Sequence, residues 1–437
     1  MVGPGVDGGA TAPEPAAHGE ISRLAEHLFR HESGKLISVL TGIFGSEHLQ
    51  LAEDVVQESL IRALKTWPYY GVPQNPAAWI TQTAKHLALD LIRREKRFRE
   101  KQPEIIVAFE HRTPDDAGTA TPTLDTELAD ERLRLVFTCC HPVLPPEAQI
   151  ALALKTLCGF SPVEIAKAFL TSEAAVAKRL TRARQKIQEQ RIPFEIPAGD
   201  ELSARLDGVL MTLYLLFNEG YKASSGDRLV RQEMCVEAIR LTSLLAGHPA
   251  GDVPRTHALL ALMLLNEARA PARVDPQGNI LRLKEQDRTQ WDRAMIAIGL
   301  HHLARSAGGL EITEYHLQAG IAACHSTAAD DTSTDWARIL ALYDQLAQMD
   351  HSPIIALNRA VALGKVQGPR AGLAALDAVR HEPALQQYHL LYAVQAEFES
   401  QLGNFEEAAK QLRKALRLAE VKSEQSFLSK RLADFEE

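Results

Sequence analysis

Lys178, Arg182 and Lys186 recur every four residues in a segment where Val176, Leu180, Ala183 and Ile187 recur at i, i+4, i+7 and i+11. On a helix this spacing puts cations on one face and aliphatic side chains on another. Arg179 and Arg184 add charge nearby. A cationic face binds phosphates, and the N-terminal half of such a helix reads base edges in a major groove. Ser172 stands where it would cap this helix. Just upstream, Ser161 and Glu164 have the spacing of a capping box around Pro162, a residue suited to a first turn. Ile165, Ala166 and Phe169 would then meet the aliphatic stripe. The pattern predicts two helices joined by a tight turn, a helix-turn-helix. A solvated amphipathic pair in a bundle is the plainer alternative.

Two further groups of residues could do chemistry. Glu53, Asp54, Gln57, Glu58 and Arg62 fall opposite the stripe Leu51, Ala52, Val55, Val56, Ser59, Leu60, Ala63 and Leu64; an acidic helix face of this kind can dock on a basic partner helix, and a solvated face is the plainer alternative. Trp67, Tyr69 and Tyr70 precede a helix that carries Trp79 near its start and Arg93, Arg94, Lys96 and Arg97 at its end. Aromatic rings stack on unpaired bases while arginines hold the backbone, which suits a strand being opened; burial in a small bundle is the competing role for Trp67 and Trp79. Cys139-Cys140-His141 invites a metal, yet adjacent cysteines on a helix diverge by about 100° and no second cysteine pair has ligand spacing. Asn218, Glu219 and Tyr221 form a polar cluster at a helix end that local capping accounts for. With no Gly-rich phosphate loop, nucleophile elbow or His-Glu metal helix, the chain is expected not to be an enzyme and to need no cofactor or metal.

These groups must be positioned by helices. The 437 residues are 46% apolar and 24% charged, as in an ordinary soluble protein of a few domains. Net charge is −8, but it is segregated: the stretches 85–101 and 167–191 are basic and 104–131 is acidic. Local patches set binding, and net charge mostly sets solubility. No apolar run is long enough for a membrane span, no signal peptide is visible, and five cysteines do not make a disulfide scaffold, so a cytoplasmic location away from membranes is expected.

Helical periodicity runs through the chain and strand alternation is nearly absent, which predicts an all-α protein. Helices are expected around Ile21–Phe29, around Leu36–Phe44, from Leu51 to an end at Trp67-Pro68, and from Asn75-Pro76 onward with Ile80, Ala84, Leu87 and Leu91 buried. The organisation is a disordered Gly/Ala/Pro tail over 1–19, a small helical bundle over 20–103, an acidic aperiodic linker over 104–129, and a helix-turn-helix bundle over 130–192. A larger helical region follows over 193–437, beginning with the extended connector Ile192–Pro197. Gly403-Asn404-Phe405 through Leu416 fits the turn and second helix of a tetratricopeptide unit, with Ala408 and Ala415 small enough for close packing. Ala360, Gly372, Leu376 and Val379 suggest a weaker unit one period earlier.

Ala52-Glu53-Asp54-Val55-Val56-Gln57-Glu58-Ser59-Leu60, Asn75-Pro76-Ala77-Ala78-Trp79-Ile80 and Asp90-Leu91-Ile92-Arg93-Arg94 together resemble domain two of bacterial sigma factors of the extracytoplasmic-function type, in the sigma-70 family. The helix-turn-helix resembles their domain four, and the resemblance spans about Glu20 to Arg191. The remainder is similar to the tetratricopeptide-like extension of one subgroup, through Leu216-Phe217-Asn218-Glu219-Gly220-Tyr221, Glu285-Gln286-Asp287-Arg288 and Ala356-Leu357-Asn358-Arg359-Ala360-Val361-Ala362. The resemblance implies that Asp54, Gln57, Glu58 and Arg62 bind core RNA polymerase. It implies that Trp79, Lys85, His86, Asp90, Arg93 and Arg94 handle the −10 element of promoter DNA, and that the Tyr69 to Asn75 loop catches a flipped base. Ser172, Glu173, Ala174, Ala175, Lys178, Arg179 and Arg182 would enter the −35 major groove. Many relatives have Asn in place of His86, and polar residues in place of Ala175 and Ala177, departures that leave the promoter sequence open but not the role.

The expected function is therefore promoter-specific initiation with core polymerase. The C-terminal region is expected to modulate it through a protein or peptide regulator, because such helical stacks offer concave surfaces. The alternative is a helix-turn-helix regulator with a ligand-sensing helical domain, which would bind its operator without polymerase.

Overall fold

The computed structural model describes residues 32–94, 122–169, 171–221, 228–275, 281–419 and 422–435. Helices dominate and no β-strand occurs among the described residues, in line with the periodicity. The expected first helix around Ile21–Phe29 and the tail lie outside the described residues. The chain divides into two compact units, Met1–Leu216 and Phe217–Glu437.

The first unit opens with α1 (32–44), a 3-10 turn (Ser46–His48), α2 (Leu49–Tyr70) and α3 (Pro76–Arg94). Leu36, Ile37, Leu40 and Phe44 of α1 are buried, as are Ala52, Val55, Val56 and Ala63 of α2. On α3 the buried line is Ile80, Ala84 and Ala88. Leu87 and Leu91, expected on it, are half-buried, because the line advances by four residues each time and the leucines flank it. The expected end of α2 at Trp67-Pro68 is also corrected. Pro68 lies inside the helix, where its missing N–H leaves one intrahelical bond unmade, and the helix runs on for two residues until Gly71 ends it at φ +83° with its N–H donating to Trp67 O at 3.0 Å.

α4 (Pro122–Cys139), α5 (Pro146–Thr156), α6 (Pro162–Ala168), α7 (Glu173–Gln190) and α8 (Asp200–Tyr221) follow. α4 begins inside the stretch read as aperiodic linker; a proline at the first helical position, followed by acids, suits a helix start. α5 is buried almost throughout, through Ile150, Ala151, Leu152, Ala153 and Leu154. The connector at 193–197 does not separate cores. Arg205 of α8 donates through Nη2 to Phe137 O at 2.7 Å, and Thr212 Oγ1 donates to Gln149 Oε1 at 3.1 Å. Residues up to Leu216, which the sequence assigned to the C-terminal extension, therefore belong with the helix-turn-helix, and the unit boundary falls within α8. Prolines mark a break in the backbone pattern, and burial alone marks a break in the core.

In the second unit the helices run α9 (Arg228–Ala246), α10 (Pro254–Glu267), α11 (Arg293–Ser306), α12 (Glu314–Thr327), α13 (Trp336–Met349), α14 (Pro353–Gln367), α15 (Pro369–Val379), α16 (Pro383–Gln386), α17 (His389–Gln401), α18 (Phe405–Leu418) and α19 (Lys422–Ala433). Successive helices pack as hairpins, among them α14 with α15 and α17 with α18. Gly403 at φ +81° makes the second turn, and Ala408, Leu412 and Ala415 are buried in that hairpin. Gly364 and Gly372 hold the Phe398 ring: a Cβ at either would come within 2.4 to 2.5 Å of it. Arg288 ends α12, its Nη1 donating to His325 O at 2.9 Å and Ala328 O at 2.7 Å. A cation there meets the carbonyl-rich end of the helix. Tyr221 lies under Arg273, whose guanidinium sits 3.9 Å from the ring centroid and donates to Tyr221 O at 3.0 Å.

Candidate nucleic-acid interface

The helix-turn-helix is α6 and α7. Ser161 N donates to Glu164 Oε2 at 2.8 Å while Glu164 N donates to Ser161 Oγ at 3.2 Å, which completes the capping box. Ser172 Oγ accepts from Ala175 N at 3.2 Å and caps α7. Val176, Leu180, Ala183 and Ile187 are buried, so the opposite face of α7 is fixed outward. At its start Ser172, Glu173 and Ala174 are exposed, Ala175 is half-buried, and Lys178, Arg182 and Lys186 are exposed further along. Arg179 is held back: its Nη2 lies 2.9 Å from Glu147 Oε2 at the start of α5. An outward cationic ridge with a small-residue tip can lie along a groove, the cations on phosphates and the tip near base edges.

On α2, Asp54, Gln57, Glu58 and Arg62 are exposed together. Asp54 Oδ1 accepts from Gln50 at 2.8 Å, and Glu58 pairs with Arg62 at 3.3 Å. Tyr69 and Tyr70, expected in the loop, are instead the last residues of α2; they are 69% and 87% exposed, unusual for such large rings and suited to stacking on unpaired bases. Asn75 Oδ1 accepts from Ala78 N at 3.1 Å and opens α3. Trp67 is buried, and half-buried Trp79 meets it edge to face, ring centroids 5.6 Å apart. The burial weighed against stacking therefore holds for Trp67. Lys85 is half-buried, and His86 and Asp90 are exposed. Arg93 and Arg94 close α3, while Lys96, Arg97 and the rest of that basic run lie outside the described residues.

Glu53 and Arg184 do not belong to the surfaces first assigned to them. Glu53 is buried and Arg184 nearly so; Arg184 Nη2 lies 2.5 Å from Glu53 Oε2, and Thr156 Oγ1 donates to Glu53 Oε1 at 2.5 Å. The arginine contact is ionic, without hydrogen-bond alignment at that oxygen. Ser46 Oγ donates to Ile192 O beside it, and Gly34 of α1 runs against Leu157 O, where a Cβ would come within 2.3 Å. The two small bundles are thus packed on each other. The periodicity held a signal for this: Glu53 sits at i+4 from Leu49 and Arg184 at i+4 from Leu180, both on apolar lines. At Cys139 and Cys140 burial pushes the thiols up, Cys140 to about 12, which disfavours the thiolates a metal would need.

Family models match three stretches. Residues 28–98 match sigma-70 region 2, and residues 134–187 match sigma-70 region 4. The chain belongs to the sigma-70 family. Its similarity to sigma factors of the extracytoplasmic-function type includes SigE of Mycolicibacterium smegmatis, 27% identical over 38% of this chain and 60% of that protein. It also includes SigG of Mycobacterium tuberculosis, 27% identical over 41% of this chain and 51% of that protein. Against these relatives the alignment spans little more than half their length. A longer match is to an uncharacterized protein of Rhizobium meliloti, 38% identical over 88% of this chain and 90% of that protein. Residues 205–307 match a family of unknown function, DUF6596, which in this sigma factor starts in α8 and ends just after α11. No solved structure matches at a significant level. No helix among the described residues is long and apolar enough to cross a membrane.

Proposed function

We propose that this sigma factor binds core RNA polymerase through Asp54, Gln57, Glu58 and Arg62 and directs it to promoters. In this reading Trp79, Lys85, His86, Asp90, Arg93 and Arg94, with Tyr69 and Tyr70, handle the opened −10 strand. Ser172, Glu173, Ala174, Ala175, Lys178 and Arg182 meet the −35 groove, and Arg179 joins them once Glu147 releases it. The polymerase performs the chemistry, and the sigma factor has no active site of its own. The observation that carries the reading is one chain holding both sigma regions, each with its polar face turned outward. The C-terminal unit acts as a tetratricopeptide-like modulator whose partner is a protein or peptide.

The test is a gel shift with promoter fragments selected from transcripts induced by the protein. Binding is expected with core polymerase and weak without it, because the cationic ridge of α7 offers few phosphate contacts. Tight, selective binding by the protein alone would point instead to a helix-turn-helix regulator. Failure to associate with core enzyme would end the proposal.

A further inference from the structure

An open groove of about 680 Å³ lies in the second unit, between the segment after α15, the end of α16 and the helices α17 and α18. This is within the usual size of ligand sites, about 300–1,000 Å³. Its lining is chemically one-sided. Lys414, Arg417, Arg380 and His381 supply cations or a titratable ring, and none of the lining residues is an acid. Arg380 is partly compensated by Asp377 at 3.3 Å, so the main charge comes from exposed Lys414 and Arg417, one turn apart on α18. Carboxamides complete the lining, Gln395 and Gln411 among them. Gln411 is steadied by Glu407 at 2.7 Å and Gln395 is 9% exposed.

A glutamine amide both donates and accepts, which matches the N–H and C=O of a peptide bond. Lysine and arginine match carboxylates through charge-assisted bonds. Nucleic acid fits less well. Single strands need open ring faces for stacking, and the larger of the two rings here, Tyr392, is 6% exposed with Lys414 Nζ 4.0 Å from its centroid, which leaves only the small imidazole of His381. Its hydroxyl is committed too, donating to Gln386 O at 2.9 Å.

We infer that this groove binds an extended acidic peptide of a partner protein, its carboxylates on Lys414 and Arg417 and its backbone on the glutamines. This deepens the proposed modulator role and rests on it for biological meaning, but the binding itself is measured separately. The experiment uses the full chain and fluorescein-labelled hexaglutamate at physiological salt, with hexaglutamine and an oligothymidylate as comparisons, read by fluorescence anisotropy. Saturable binding of hexaglutamate is expected, with none for hexaglutamine. Lys414→Gln/Arg417→Gln, at exposed positions that leave the fold intact, is expected to weaken it about ten-fold or more, the worth of one or two charge-assisted bonds. Lys178→Gln/Arg182→Gln on α7 should leave it unchanged. Three results would each overturn the inference: no saturable binding, binding indifferent to the α18 substitutions, or oligothymidylate binding in preference and being lost in that variant. Core polymerase association of the α18 variant, assayed in parallel, reports on the sigma reading alone.

Discussion

Arg184 of α7 meets Glu53 of α2 at 2.5 Å in a site where both are largely shielded from water. Glu53 adjoins Asp54 on the face proposed for polymerase, and Arg184 follows Arg182 on the face proposed for DNA. One ion pair thus ties together the packing of the two bundles that the proposed function uses separately. Lys155 sits in the same field; its amine is held below its usual range by burial, against the pull of Glu53.

Breaking that pair from one side should be costly. Glu53→Gln or Arg184→Gln leaves a buried charge without its counter-charge, and each is expected to destabilise the first unit by about 3–5 kcal/mol. Replacing both with apolar residues of similar size should cost much less. Urea titrations of the two single variants and the double variant, taken as a double-mutant cycle, measure the difference.

The second unit is tightest where Phe398 enters between Gly364 and Gly372. Gly372→Ala puts a methyl group within 2.5 Å of the ring and should cost about 1–3 kcal/mol through overpacking. Adding Phe398→Leu should recover part of that loss. Thermal melts of the single and double variants would show it.

Low pH should weaken the second unit before carboxylates come into play. His325 is pushed down to about 4 by burial and then by Arg269 and Arg288; His302 falls to about 4 by burial and then by His257. Both rings take a proton more readily in the unfolded chain, near 6.5. Their stabilisation is therefore complete above about pH 6.5 and is lost as the pH falls toward about 4. Urea midpoints taken across that window should decline, and His325→Gln should flatten the decline.

Truncation should be sensitive to where α8 is cut. Ending the chain after Arg191 removes Arg205 and Thr212 from Phe137 and Gln149 and uncovers apolar surface that Leu206, Val209, Leu210 and Leu213 bury. That fragment should aggregate or melt early. A fragment ending after Tyr221 should fold cooperatively, as size exclusion and circular dichroism would report.

Helix α7 offers a graded test of the proposed DNA contacts. Ser172→Ala should cost about 1 kcal/mol of stability through loss of the cap. In the holoenzyme, Lys178→Ala and Arg182→Ala should each lower the salt dependence of promoter binding by about one ion, with the stability unchanged.

Local chemistry was legible in the sequence wherever neighbours along the chain settle it. The Ser161–Glu164 capping box, the Ser172 cap, the stripe from Val176 to Ile187 and the outward face of Asp54, Gln57, Glu58 and Arg62 all depend on helical spacing, which residue types alone set. Long-range packing decided the rest. Glu53 looked like one more exposed acid until Arg184, far along the chain, filled the space opposite it. Pro193 and Pro197 looked like a domain border until α8 folded back on α4 and α5. A helix period says which residues share a face, but which partner covers that face is fixed only when distant segments exclude water together.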